Sequence, residues 1–237
     1  MTSQAELRWS LALIRECNDA AILFTRGLES VHSMRHDYTD SVVAMSLLAL
    51  GAEKMLKLTI GLHERDQGRD WPAKKDLRDN IGHQVRKGDC FARPLLDTHP
   101  GAAPGLLRDM KMHVEADPTL PALLDALDRF GDAGRFHHLD FLAGATRHDE
   151  SPQGLWEQVT TAIAIGNPAL LAEISTVENY DHGRLRLNAA VIGVLVQWWE
   201  LYLAAWRTGA IGNEAKRYAR ELTLTGIASA AASRGLR

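Results

Sequence analysis

Cysteine is nearly missing from this chain of 237 residues. The two present, Cys17 and Cys90, cannot staple a small secreted domain and have no zinc-ligand spacing, so a reducing, cytoplasmic setting with both thiols in the core is expected. A basic start followed by an apolar run is also missing: Glu6 and Arg8 come early, and neither a signal peptide nor a transit peptide is read. No Gly-rich phosphate loop or dinucleotide fingerprint occurs, which excludes the phosphate-loop enzymes. His-Glu-x-x-His is absent, and Glu29-Ser30-Val31-His32 is a single Glu-x-x-His where a di-iron site needs two. No metal and no cofactor are therefore expected. An excess of positive charge is lacking too: 27 Lys and Arg against 30 Asp and Glu leave a net charge of −3, not the coat of a general nucleic-acid binder.

Strand signals are equally scarce. No segment alternates at period two, Val, Ile and Thr are few, and Leu with Ala makes up about a quarter of the chain, a bias toward helix. The capping box Ser3-Gln4-Ala5-Glu6 opens a first helix that runs to His32. Asp37 or Thr39 caps a second, ending where Gly61 can turn left-handed, with Glu53 and Lys57 four apart on its flank. A third runs from Lys74 until Pro94 stops it at Arg93. Shorter helices follow at Leu106 to Val114 and from Pro121 to Gly131, then a long loop from Asp132 to Glu150 whose segment Arg135 to Phe141 either closes over a cleft or is pinned to the core by Phe136, Leu139 and Phe141. Ser151-Pro152 and Asn167-Pro168 start two more helices. The apolar stretch Ala189 to Trp206 holds Gln197 and Glu200, so it reads as a core helix (Arg184 to Arg207, stopped at Gly209) and not a membrane span. A last helix covers Asn213 to Ala232.

Charge is unevenly spread. From Lys74 to Arg93 bases outnumber acids, Glu115 to Glu150 is acidic, and Lys216, Arg217, Arg220, Arg234 and Arg237 form a second basic cluster. Within the first lies Arg78-Asp79-Asn80-Ile81-Gly82-His83. On a continuous helix Asp79 and His83 share a face, so the carboxylate orients the imidazole for proton exchange. Arg78 lies about 140° around an ideal helix from His83 and converges with it only by reaching back or at a helix entry. Gly82 leaves the backbone beside His83 open to a close approach, and Arg86 and Lys87 add positive charge a turn later. Together they offer a phosphodiester a cationic anchor and a titratable base. The plainer reading is a solvated helix face with one Asp to His hydrogen bond. Arg108 to His113 has the same minimal spacing but carries Lys111 at the aliphatic position.

Arg78 to His83 resembles the Arg-polar-x-x-x-His motif of the HEPN superfamily, and Leu50-Gly51-Ala52-Glu53-Lys54-Met55-Leu56-Lys57 is similar to the apolar Gly-x-Glu-Lys-x-x-Lys stretch of many such proteins. The likeness covers residues 5–115. It implies an all-α, up-and-down helical bundle over 1–115; the helices over 116–237 have no counterpart in the likeness and are expected to pack on that bundle as one unit. It also implies a metal-independent endoribonuclease, with toxin or defence roles among its settings, in which Arg78 and His83 are the catalytic pair, Asp79 is the polar positioning residue and Arg86 with Lys87 binds substrate. RNA or nucleotide, a second copy in a homodimer and an antitoxin or regulatory protein are the implied partners. The alternative is a non-catalytic module that binds nucleotide, RNA or a protein through the same patch.

Overall fold

The computed structural model describes residues 3–97, 103–132, 134–144 and 150–226. His99, Pro100, Gly101, Arg234, Arg237 and the end of the expected last helix lie outside them. Among the described residues there are eleven α-helices and no strand.

Two long helices, α1 (Gln4–Ser33) and α2 (Asp37–Asp66), form an antiparallel hairpin. The capping box is present, with the Glu6 amide donating to Ser3 Oγ at 3.1 Å and the Ser3 amide donating to Glu6 at 2.6 Å. Two glycines let the pair close. A Cβ on Gly27 would lie 2.7 Å from the Leu48 side chain, and one on Gly51 would lie 2.8 Å from the backbone of Phe24. At the start of α2 neither Asp37 nor Thr39 caps. Asp40 reaches back to accept from the amides of Arg35 and His36, both at 2.9 Å. Asp37 instead takes a two-pronged ion pair from buried Arg184, at 2.8 and 3.0 Å. Gly61 does not end α2 either; it sits inside the helix, where its missing side chain makes room for Trp71.

The expected single helix from Lys74 to Arg93 is two. α3 (Lys74–Asn80) stops, the chain turns at 81–84 with Gly82 at φ +59°, and α4 (Val85–Ala92) begins, followed by a 3₁₀ turn across Pro94. Beyond it come α5 (Pro104–Ala116), α6 (Leu120–Asp132) and a short α7 (His137–Leu142) within the stretch expected as loop. Phe136, Leu139 and Phe141 are half or more exposed there, so they do not pin that stretch to the core. α8 (Pro152–Ile165) and α9 (Pro168–Ile174) open on Ser151 and Asn167, whose side chains accept from the amides of Gly154 and Leu170.

The apolar α10 (Tyr180–Thr208) ends at left-handed Gly209 and is the central strut. It is long and apolar enough to cross a membrane, yet 61% of its most apolar stretch is buried within the chain. Trp198, Trp199 and Trp206 are fully buried, so they face this chain's own helices and no second copy. Their ring N–H groups donate to Asp89, to the Leu222 carbonyl and to Thr59 at 2.8 to 2.9 Å, which removes the cost of burying them. α11 (Asn213–Tyr218) gives way to a 3₁₀ turn at Ala219–Leu222 and an extended stretch, so the single long helix expected from Asn213 is broken within the described residues. Buried apolar residues from Leu13 to Leu224 form one cluster, so the helices after residue 115 share a core with those before it.

Candidate functional site

Four elements meet around His83. The middle of α2 supplies Glu53 and Lys57, one turn apart, with the Lys57 ammonium 2.5 Å from the Glu53 carboxylate. After α2 the chain doubles back through 67–73. Trp71 lies against Gly61, where a Cβ would come within 2.4–2.5 Å of its six-membered ring. α3 then carries Lys74 and Arg78 outward. The turn that follows is held by the Gly82 amide, which donates to the Leu77 carbonyl at 3.0 Å, and by Ile81, which is buried. A Cβ on Gly82 would meet the Arg78 carbonyl at 3.3 Å, and its positive φ is one that side chains disfavour. Gly131 of α6 approaches the His83 carbonyl so closely that a Cβ there would be 2.3 Å away. His83 is thus set by its backbone while its imidazole is more than half exposed.

The break between α3 and α4 takes Asp79 and His83 off a common face and corrects the expected pairing. Asp79 accepts from Arg78 Nε at 2.8 Å in an exposed pair. His83 Nδ1 instead lies 3.1 and 3.2 Å from the two oxygens of Glu53, a carboxylate only 12% exposed. A carboxylate only accepts, so Nδ1 carries the proton in this hydrogen bond and Nε2 is the basic nitrogen of the neutral ring.

Arg78, His83 and Gly82 line a cleft of about 450 Å³ together with Lys57, Lys74 and Trp71. Three cations and an imidazole are in its walls, and among the described residues no Asp or Glu lines it. Three other clefts, of 360 to 600 Å³, each have carboxylates in theirs: Asp181 in one, Asp125 and Asp128 in another, Glu6 and Glu214 in the third. Among the described residues no three of His, Cys, Asp and Glu gather as a metal site would need.

Not all the residues singled out in the sequence belong here. Arg86 faces α6, where its guanidinium pairs with Asp125 and its amide donates to Asp128 at 2.9 Å; the Asp125 hydrogen bond and charge hold that guanidinium above its ordinary pKa. Lys87 is exposed and does not line the cleft, nor does Arg108 on α5. Glu29 pairs with Arg26 at 2.6 Å. Cys17 is buried as expected, whereas Cys90 is exposed. Two contributors, Lys74 and Trp71, escape a reading by motif, while Lys57 closes the quoted Gly-x-Glu-Lys-x-x-Lys stretch. Glu53 stands in the quoted Gly-x-Glu-Lys stretch, yet its i, i+4 spacing points only to Lys57. Comparison of the chain with protein-family models, with curated proteins and with solved structures finds no match in any of the three.

Proposed function

We propose that the cleft binds the backbone of RNA and cleaves it by metal-independent transesterification, as an HEPN-like endoribonuclease would. The observation that carries this reading is the placement of His83: its Nδ1 is held by the largely covered carboxylate of Glu53, and its ring shares a cleft with Arg78, Lys57 and Lys74. In this reaction Nε2 takes the proton of the ribose 2′-hydroxyl. The 2′-oxygen attacks phosphorus, the bond to the 5′-oxygen breaks, and the imidazolium returns its proton through cleft water to that leaving oxygen. Arg78, whose Nε is engaged by Asp79, offers its terminal nitrogens to the charge that develops on the phosphate oxygens. Lys57 and Lys74 hold the flanking backbone. Glu53, in place of Asp79, keeps the imidazole oriented.

The test is incubation of purified protein with mixed single-stranded RNA in EDTA. Cleavage leaving 2′,3′-cyclic phosphate ends, lost by about 10²- to 10⁴-fold in His83→Ala and heavily reduced in Arg78→Ala, is the expected result. Arg108→Ala should cleave as the parent does. Undiminished cleavage by His83→Ala would reject the assignment. No cleavage, with RNA still bound and that binding lost in Arg78→Ala, would replace the enzyme by a non-catalytic binding module.

A further inference from the structure

Six tryptophans occur in the chain, and four of them, Trp156, Trp198, Trp199 and Trp206, are essentially inaccessible. Trp9 and Trp71 are the two left partly exposed. They touch each other edge to face, with ring centres 5.2 Å apart and planes at 78°. Behind them is a built support. The Arg65 guanidinium lies 4.6 Å over the Trp9 ring, Arg65 pairs with Glu214 at 2.9 Å, and Trp9 Nε1 donates to the same carboxylate at 3.3 Å. On its inner side Trp71 rests on Gly61, a position where any side chain would displace it. A large indole is therefore fixed from below and from one edge, while part of it forms a wall of the cleft that holds His83 and Arg78. Its ring N–H has no hydrogen-bond partner among the described residues.

We infer that Trp71 is the base-stacking surface of this cleft, so that the ligand is recognised as a nucleotide, its base on Trp71 and its phosphate among Lys57, Lys74 and Arg78. The inference rests on the functional reading above and deepens it. Two features support a nucleotide over a bare phosphate. An anion alone needs only the cations. A cleft of about 450 Å³ lies within the range of roughly 300 to 1,000 Å³ that holds small organic ligands. Pro72 and Leu77 line the same cleft as Trp71, which gives a base further apolar surface. Because any base has a flat π-face, stacking on Trp71 makes the site tolerant of sequence.

The decisive measurement is a two-by-two comparison of binding in the His83→Ala background, which prevents turnover. Adenosine 5′-monophosphate and ribose 5-phosphate are each titrated by calorimetry into proteins with Trp71 intact or changed to Ala. The nucleotide should bind about 5- to 100-fold more tightly than the sugar phosphate, and Trp71→Ala should erase most of that gap while leaving ribose 5-phosphate affinity nearly unchanged. Trp71→Phe should restore the preference and Trp71→Leu should not, which separates stacking from simple packing; both are read beside a helicity spectrum. Equal binding of the two ligands by protein with Trp71 intact overturns the inference while the cationic cleft stands. An equal loss of both in Trp71→Ala overturns it as well, since Trp71 then only shapes the cleft. A nucleotide preference without RNA cleavage by the parent sustains the inference and removes the enzyme. Binding of neither ligand removes both.

Discussion

His83 Nδ1 meets the carboxylate of Glu53, thirty residues earlier in the chain, at 3.1 Å. The end of α2, a reversal of the chain and the whole of α3 separate them, and the contact forms because the turn at Gly82 swings His83 back over the middle of α2. The nearer acid, Asp79, is turned toward Arg78.

The orienting role therefore belongs to Glu53. Glu53→Gln should lower kcat for RNA cleavage by about 10-fold or more with KM little changed, as loss of an orienting carboxylate does elsewhere on a larger scale. Glu53→Asp should restore part of the rate. Asp79→Asn, which alters only an exposed pair, should cost less than about 3-fold. Equal losses in Glu53→Gln and Asp79→Asn would contradict the assignment.

Asp89 is a structural acid. It is 5% exposed and accepts from Trp198 at 2.8 Å and from Tyr202 at 2.7 Å while pairing with Arg93, so one carboxylate fastens α4 to α10. Burial first, and then Asp89 itself, keep the Tyr202 hydroxyl well above its usual pKa. Asp89→Ala strands two buried donors, Trp198 and Tyr202, and the half-buried Arg93 guanidinium, and should lower unfolding free energy by about 3–5 kcal/mol, read by urea denaturation.

The two thiols should differ in reactivity. Cys17 is fully buried, and burial, with smaller contributions from Glu221 and Glu16, pushes its thiol up to about 12. Cys90 is exposed. At pH 8 an alkylating reagent should modify Cys90 in the native protein and reach Cys17 only in denaturant, as mass spectrometry of the peptides would show.

Asp40 gives stability a defined acid dependence. Hydrogen bonds from the amides of His36 and Arg35 favour its charged form and hold its carboxyl below the ordinary value. The unfolded chain therefore takes up this proton first. The contribution is complete above the ordinary carboxylate pKa, declines as pH falls through it and is gone below the lowered native value. Asp40→Asn should be less stable than the parent at pH 7, with the difference closing as the pH of the denaturation experiment is brought down through that range.

Much of the helix pattern was legible because caps and breakers act locally. Ser3, Ser151 and Asn167 offer side-chain oxygens to the amides three residues on, and Gly209 supplies the left-handed residue that ends α10. Local rules failed where distant contacts decide. Gly61 looks like a terminator until Trp71 is seen to occupy its missing side chain, and Asp37 looks like a cap until Arg184 claims it. For the site, Arg78 and His83 were identified by spacing and do line one cleft. Their partners were not. Nothing in the spacing marks Gly82 as a break, and once the helix breaks there the neighbours of His83 come from α2 and α6, which no local pattern encodes.

Among the residues of α3 whose side chains are described, none is buried: Lys74, Arg78 and Asp79 are exposed and Leu77 is only half-covered. The cleft thus draws two of its three cations from seven residues whose substitution removes almost no apolar packing. Selection can change the sign, number and reach of those charges without threatening the integrity of the molecule, so ligand preference and foldedness are free to diverge on separate schedules. Glu53 of α2 and Gly131 of α6 have no such latitude, because the first is engaged by Lys57 as well as His83 and a side chain at the second would collide with the His83 carbonyl.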